Sequence, residues 1–189
     1  MIGLCGRFKV GDIVDTSNGK VKIVMYSDGK TLPNGDKVRA RVTLQFIDSG
    51  WITTVSTASL YAGNIKDKLA RTVHGVGYLG TNMKGLRTGN SIPHRACVLW
   101  RNMLERCYGG YKHWSKYADC TVAERWHCFK TFLDDISKLE GYDRWARGED
   151  MQLDKDIKVK GNRVYSLETC MFVTAFDNRS DGGKRNKEK

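Results

Sequence analysis

The alternation of apolar and polar positions divides the chain in two. Residues 8–60 repeat with period two. After a turn at Ser17-Asn18-Gly19, Val21, Ile23 and Met25 fall on one face and Lys22, Val24 and Tyr26 on the other. Asn34-Gly35, with Pro33 beside it, is a hairpin signal. Val38, Ala40, Val42, Leu44 and Phe46 then alternate with Arg39, Arg41, Thr43 and Gln45. Ser49-Gly50 turns the chain, and residues 51–60 (WITTVSTASL) are rich in β-branched side chains. Four or five short strands in so short a stretch predict a small β-barrel-like module over residues 1–62. The segment 63–93 is glycine-rich and lacks a steady period, so it reads as a connector or docking segment. Within it, "VHGVGYLG" (73–80) is too apolar for a flexible tether and is expected to pack as a strand or against one of the halves.

From residue 94 the period changes to that of a helix. Ala96, Trp100, Met103, Leu104, Cys107 and Tyr108 share one face, with Pro93 in the first turn and Ser91 as cap. A loop, "GGYKHWSKYADC", follows. A second helix is expected to start at the capping box Thr121-x-x-Glu124 and to bury Trp126, Phe129, Phe132, Leu133, Ile136 and Leu139 before Gly141 ends it. That aromatic stripe reads as core more readily than as a base-stacking surface. Residues 150–180 read as strand, turn, strand and helical tail, with Gly161-Asn162 at the turn and Val164-Tyr165 resuming the extended path. Residues 181–189 form a basic tail, expected to be frayed. The fold expected is therefore α+β: the β module, the connector, and a helical domain over 94–180.

Composition narrows the function classes. The chain has 189 residues, 40% of them hydrophobic, which suits folded domains. It holds no apolar run of ~18 residues and its first residues lack a signal peptide's apolar core. A membrane role is not expected, and an intracellular location is. The formal net charge is +11, which favours a polyanionic partner, foremost nucleic acid. The excess is spread out: 11 Lys and Arg against 6 Asp and Glu in residues 1–80, and 21 against 15 in residues 81–189. Candidate phosphate contacts are Arg39, Arg41, Arg95, Arg101, Lys158, Lys160, Arg163 and Arg179. For Arg39 and Arg41 a solvated strand face is an equally good reading.

Six cysteines form no C-x-x-C pair. Cys107, His113, Cys120 and His127 or Cys128 surround one loop, but at spacings that match no standard zinc finger, so packed thiols are expected over structural zinc.

The acidic pair lies in "QLDKDIKVKGN" (152–162). Asp154 and Asp156 are two apart, which on a regular strand places both carboxylates on one face, with Lys155 pointing away. Paired carboxylates raise each other's pKa unless a cation lies between them, and a divalent ion is one solution. An ordinary solvated hairpin is the other.

A resemblance adds to this reading. The segments "LWRNMLERCY" (99–108), "YADCTVAERWHCFKTFLDD" (117–135) and "LDKDIKVKGNRVYSLETCMFV" (153–173), with Asn178, resemble bacteriophage proteins of the HNH-type, homing-endonuclease-like family. "FIDSG" (46–50) and "GNIKD" (63–67), ahead of "GVGYLG" (75–80), resemble the small β module such proteins carry. The central portion is also similar to segments beside DNA-binding domains of the plant ethylene-response-factor type in phage nucleases. The resemblance implies a ββα finger, DNA as partner, Mg²⁺ or Mn²⁺ as cofactor, and the cytoplasm of a host bacterium as location. It implies catalytic positions at Asp154, Lys155 and Asn162, and metal ligands at Asp154, Asp156 and Asn178. One departure stands out: Lys155 occupies the position where the family places its general-base histidine. Three functions follow as expectations: a metal-dependent DNA endonuclease, a non-catalytic nucleic-acid-binding protein on the same scaffold, or a phage factor that binds a host protein.

Overall fold

The computed structural model describes residues 4–5 and 8–180, and the basic tail lies outside them. The architecture is mixed α+β, in two compact units, Met1–Ala70 and Arg71–Lys189.

Among the described residues the first unit carries eight strands. β1 (Leu4–Cys5) pairs with β2 (Phe8–Lys9). β3 (Ile13–Thr16) and β4 (Gly19–Ser27) lead to β5 (Lys30–Thr31) and β6 (Lys37–Val38), which pair only with each other. β7 (Arg41–Phe46) and β8 (Ile52–Ser56) complete an antiparallel four-stranded sheet in the order β3-β4-β7-β8. The chain then turns into the short helix α1 (Thr57–Tyr61), whose first turn is capped by the Ser56 hydroxyl. One face of the sheet buries Val21, Ile23, Val42, Leu44 and Phe46, with Leu60 and Ile65 completing the core. Among the described residues the sheet stays open, with β3 and β8 as its edges, so the expected barrel is not formed. The short strands pair among themselves instead of bridging those edges.

One strand departs from strict alternation. A bulge between Ile23 and Met25 opposes Ile23 to Leu44, Met25 to Thr43 and Tyr26 to Val42. The extra residue reverses the faces beyond it. Met25, expected inside with Val21 and Ile23, is 56% exposed, and Tyr26 packs on the core in its place.

The first unit extends past residue 62. Asn18 Nδ2 donates to the Ile65 carbonyl at 2.7 Å and the Ser17 hydroxyl to the Gly63 carbonyl at 3.1 Å. The boundary therefore falls after Ala70, and residues 71–93, expected as connector, belong to the second unit. There the Tyr78 N–H donates to the His127 carbonyl and the Phe129 N–H to the Tyr78 carbonyl, both at 2.9 Å. A Cβ on Gly77 would lie 2.5 Å from Leu104 Cδ1 and 3.0 Å from Trp100 Cζ2, so any larger residue here must displace packed core side chains.

The second unit is built on α2 (Ile92–Tyr108), capped by Ser91, which accepts from the His94 N–H. Ala96, Cys97, Trp100, Met103 and Leu104 form its buried face. A 3₁₀ turn over Lys112–Tyr117 leads to β9 (Thr121–Val122). The capping-box helix expected from Thr121 does not form. The Thr121 N–H donates to the Arg163 carbonyl and the Ala123 N–H to the Tyr165 carbonyl, so a distant strand claims these donors before a helix can. Residues Glu124–His127 make a 3₁₀ turn and the helix proper, α3, spans Phe129–Ile136. The apolar stripe is preserved through this break: Trp126, Phe129, Phe132, Ile136 and Leu139 are all buried. α4 (Tyr142–Ala146) starts at Gly141, whose φ of +78° is left-handed.

The chain closes with β10 (Met151–Asp154), β11 (Val164–Tyr165) and β12 (Met171–Thr174). β10 pairs antiparallel with β12, and β11 pairs parallel with β9. The partner of β10 is thus not Val164-Tyr165, as the turn at Gly161-Asn162 suggested, but a strand that follows a long loop. Residues 175–180 are helical. Among the described residues, no helix is long and apolar enough to cross a membrane.

Candidate nucleic-acid interface at the β10–β12 loop

β10 ends on Asp154, opposite Met171 of β12. The chain must leave the ladder here, and its next backbone donors need acceptors. Asp154 supplies them: its Oδ1 accepts the N–H groups of Asp156 at 2.8 Å and Ile157 at 2.7 Å. This fold-back corrects the same-face reading of the pair. Asp156 lies beyond the strand, so strand alternation does not apply to it. Its amide is held by Asp154, and its carboxylate pairs with Lys155.

Lys155 is the least expected residue of the loop. It is 4% exposed, a rare state for lysine that demands compensation. Its ammonium lies 2.6 Å from Asp156 Oδ1 and faces the rings of Tyr165 at 5.5 Å and Tyr117 at 5.8 Å. The carboxylate and the two π faces replace the water the ammonium gave up. Lys155 therefore is the cation that neutralises Asp156, contrary to the expectation that it points away. Burial pushes the Tyr165 hydroxyl well above its ordinary pKa, with Tyr117 adding to the effect.

Asn162 closes the loop. Its Nδ2 donates to the carbonyls of Lys155 at 2.8 Å and Val164 at 2.7 Å, and its Oδ1 accepts the Val164 N–H at 3.3 Å. Gly161 before it has φ +76°, as the turn reading required. Asn178, on the terminal helical turn, donates to Gln152 Oε1 of β10 at 2.7 Å.

The candidate metal ligands can be judged as donors. Asp154 Oδ1 already accepts two backbone N–H groups, Asp156 faces an ammonium, and the Asn178 amide is turned to Gln152. Among the described residues, no three His, Cys, Asp or Glu side chains gather in a group suited to a metal ion. The Lys155 ammonium holds one oxygen of Asp156, at 2.6 Å. Three of the four histidines make contacts elsewhere. His94 contacts the Leu86 carbonyl, His113 stacks on Tyr111, and His127 meets the Tyr108 hydroxyl. Burial, followed by the charge of Arg71, holds His127 below the usual imidazole pKa.

Around the loop between α2 and α3, Cys120 is buried and Cys107 and Cys128 are half-buried free thiols. Cys107 is pushed up to about 12 by burial first and by Cys120 second. Burial likewise pushes Cys170 up to about 12.

The candidate phosphate contacts part company. Lys158, Lys160 and Arg163 lie on the exposed side of the loop. Arg163 forms an ion pair with Asp119 at 3.2 Å and donates to the Lys116 carbonyl at 3.4 Å, joining the loop to the 3₁₀ turn 112–117. Arg179 is exposed on the last helical turn, its Nε donating to the Ala175 carbonyl. Arg101 is exposed on α2, beside the Cys97 thiol. Arg95 turns inward: its guanidinium lies 4.4 Å over the Trp145 ring and donates to the carbonyls of Trp145 and Ala146. Arg39 and Arg41 are exposed in the first unit, with Arg41 donating to the Thr54 carbonyl across the ladder.

Two elements escaped sequence reading. Asp135 is buried to 1% exposure among Trp126, Arg125 and Lys138, at a position on α3 outside the apolar stripe. Tyr117 and Tyr165 flank Lys155 from segments 48 residues apart in the chain, a pairing that local pattern does not carry. No protein-family model matches the chain, and comparison with curated proteins and with solved structures gave no match either.

Proposed function

We propose that this chain is a nucleic-acid-binding protein in which residues 151–180 form a ββα element of HNH-like shape that serves as a binding scaffold. The observation that carries this reading is the loop 155–163. Its acidic groups are engaged internally, with Asp154 on backbone amides and Asp156 on Lys155, while Lys158 and Lys160 are exposed, as is Arg163 beside its partner Asp119. A phosphate backbone approaching this loop meets exposed cations. The surrounding charge agrees: residues 71–189 carry 22 Lys and Arg against 15 Asp and Glu.

Strand, loop, strand and helix follow one another in the order of a ββα finger, which supports kinship with the endonuclease shape. The chemistry at its centre supports binding over cleavage. The position where the resemblance places the general base holds a buried, ion-paired lysine.

The test is binding of the full chain to duplex DNA across a salt series. Each phosphate contact contributes roughly 0.9 to the slope of log K against log salt. Replacing Lys158, Lys160 and Arg163 together by glutamine is expected to lower that slope by about 2–3. Plasmid incubated with Mg²⁺ or Mn²⁺ is expected to remain supercoiled. Nicking abolished by Asp154→Asn would restore the endonuclease reading, and the absence of any salt-dependent binding would overturn the proposal.

A further inference from the structure

The turn Lys112–Tyr117, with Tyr111 at its start, was legible only as a loop, yet it places four aromatic rings in series. Tyr111 stacks on His113 with centroids 5.6 Å apart and planes 21° apart. His113 contacts Trp114 at 4.8 Å, and Trp114 meets Tyr117 edge-on at 5.7 Å. Trp114 and Tyr117 are partly buried under Arg106, whose guanidinium lies 5.3 Å over Trp114 and 6.0 Å over Tyr117. Tyr111 and His113 are exposed, Tyr111 to 51%. A core use of aromatics would bury these side chains, and here Tyr111 and His113 stay exposed while stacked on each other.

Cations interleave with the rings. Lys112 and Lys116 are exposed on the same turn, and the Arg163 contact to the Lys116 carbonyl brings the β10–β12 loop to its edge. Exposed rings alone would suit many partners. Rings alternating with lysines suit a ligand that alternates planar faces with negative charge. Single-stranded nucleic acid is such a ligand, since every base offers a π face and every linkage a phosphate. In a closed duplex the base faces are stacked on one another and out of reach.

We propose that Tyr111 and His113 form a stacking platform for unpaired bases of single-stranded DNA or RNA, with Lys112 and Lys116 on the adjoining phosphates. This rests on the nucleic-acid-binding reading above and sharpens it from phosphate contact to strand state. Pre-formed rings lose little freedom on binding, so the stack is available without reorganisation.

The test uses the full chain and three fluorescent probes: a dT strand of roughly 20 nucleotides, the same backbone with abasic sites, and a duplex of equal length. The dT strand is expected to bind about 10-fold or more tightly than the abasic strand at equal salt, the effect of stacking without change in charge. Tyr111→Ala with His113→Ala is expected to remove that difference while leaving duplex binding within about twofold, and Tyr111→Phe, which keeps the ring, to preserve it. Equal affinity for dT and abasic strands overturns the platform. So does a double variant that binds dT as well as the wild type, as would follow if these rings serve a protein partner. Wild-type protein that binds the duplex alone overturns this inference and leaves the broader proposal standing. Failure to bind any of the three probes overturns both.

Discussion

Asp135 offers the sharpest test of how the second unit is held together. Its carboxylate is 1% exposed on α3 and accepts three donors: Trp126 Nε1 at 3.0 Å, Arg125 Nη2 at 3.0 Å and Lys138 Nζ at 3.0 Å. Arg125 and Lys138 are more than half exposed and return to water if the acid is removed. Trp126 is fully buried and its indole N–H has no such recourse. Asp135→Ala thus strands a buried donor, at about 1–3 kcal/mol, and loses the charged hydrogen bonds, discounted for the exposure of the cations, for a total of ~3 kcal/mol. Asp135→Asn keeps an acceptor for the indole and is expected to cost about half as much. Four of the five tryptophans lie in the second unit, so fluorescence-monitored urea unfolding reads it selectively. With m of about 2 kcal/mol/M, the alanine variant's midpoint should fall by ~1.5 M. The pH dependence has a definite sign. Burial acts to raise the Asp135 pKa, but hydrogen bonds from Lys138 and Trp126 and the charge of Arg125 outweigh it, and the net shift is downward. A depressed carboxylate contributes stability that is present above the unfolded pKa of about 3.9 and is lost as pH falls through the lower folded value. The gap between wild type and Asp135→Asn should therefore be full at neutral pH and shrink only in strong acid. A gap that is absent at pH 7, or one that widens below pH ~4, refutes the reasoning.

Two further outcomes follow from packing. Gly77→Ala places a methyl 2.5 Å from Leu104 Cδ1 and is expected to destabilise the second unit by about 1–3 kcal/mol, read as a lower urea midpoint; an unchanged midpoint refutes the close approach. Cys107 and Cys170, both pushed up to about 12, should alkylate with iodoacetamide at pH 8 roughly a thousandfold more slowly than ordinary thiols until urea is added; rapid native labelling, mapped by peptide mass, refutes their burial.

The period-two and period-3.6 patterns located β7 and α2 with their buried faces, because in both the local preference and the tertiary environment agree. They failed where distant partners intervened. The bulge at Ile23/Met25 depends on how β7 lies against β4, and no residue in "KIVMYS" announces it. The Thr121-x-x-Glu124 signal was chemically sound, but Arg163 and Tyr165 offered carbonyls to the same donors. At the site the same rule holds. The turn at Gly161-Asn162 was legible because its chemistry is local. The state of Lys155 was not, because it is set by Tyr117 and Tyr165, neighbours only in the folded chain. Residues 111–117 read only as a loop, and folding shows which of their rings stay exposed.

Lys155 decides between the two uses of this scaffold, and a double-mutant cycle resolves it. If the lysine contacts phosphate, its removal weakens DNA binding and lowers the salt slope by about 1. If it holds the loop from inside, its removal costs stability first. Lys155→Met keeps the packed stem and deletes the charge, leaving Asp156 without its 2.6 Å partner. Breaking a buried pair on one side costs about 3–5 kcal/mol, and the partial exposure of Asp156 argues for the lower end. Asp156→Asn alone should cost as much or more, since the ammonium left behind is the more deeply buried partner. The double replacement removes both charges and should recover much of the loss, giving a coupling energy of about 2 kcal/mol by urea titration. The salt slope of Lys155→Met, measured where the protein is still folded, should match the wild type. Additive losses with a reduced slope would place the ammonium on the ligand side of the loop and refute the internal role assigned to it.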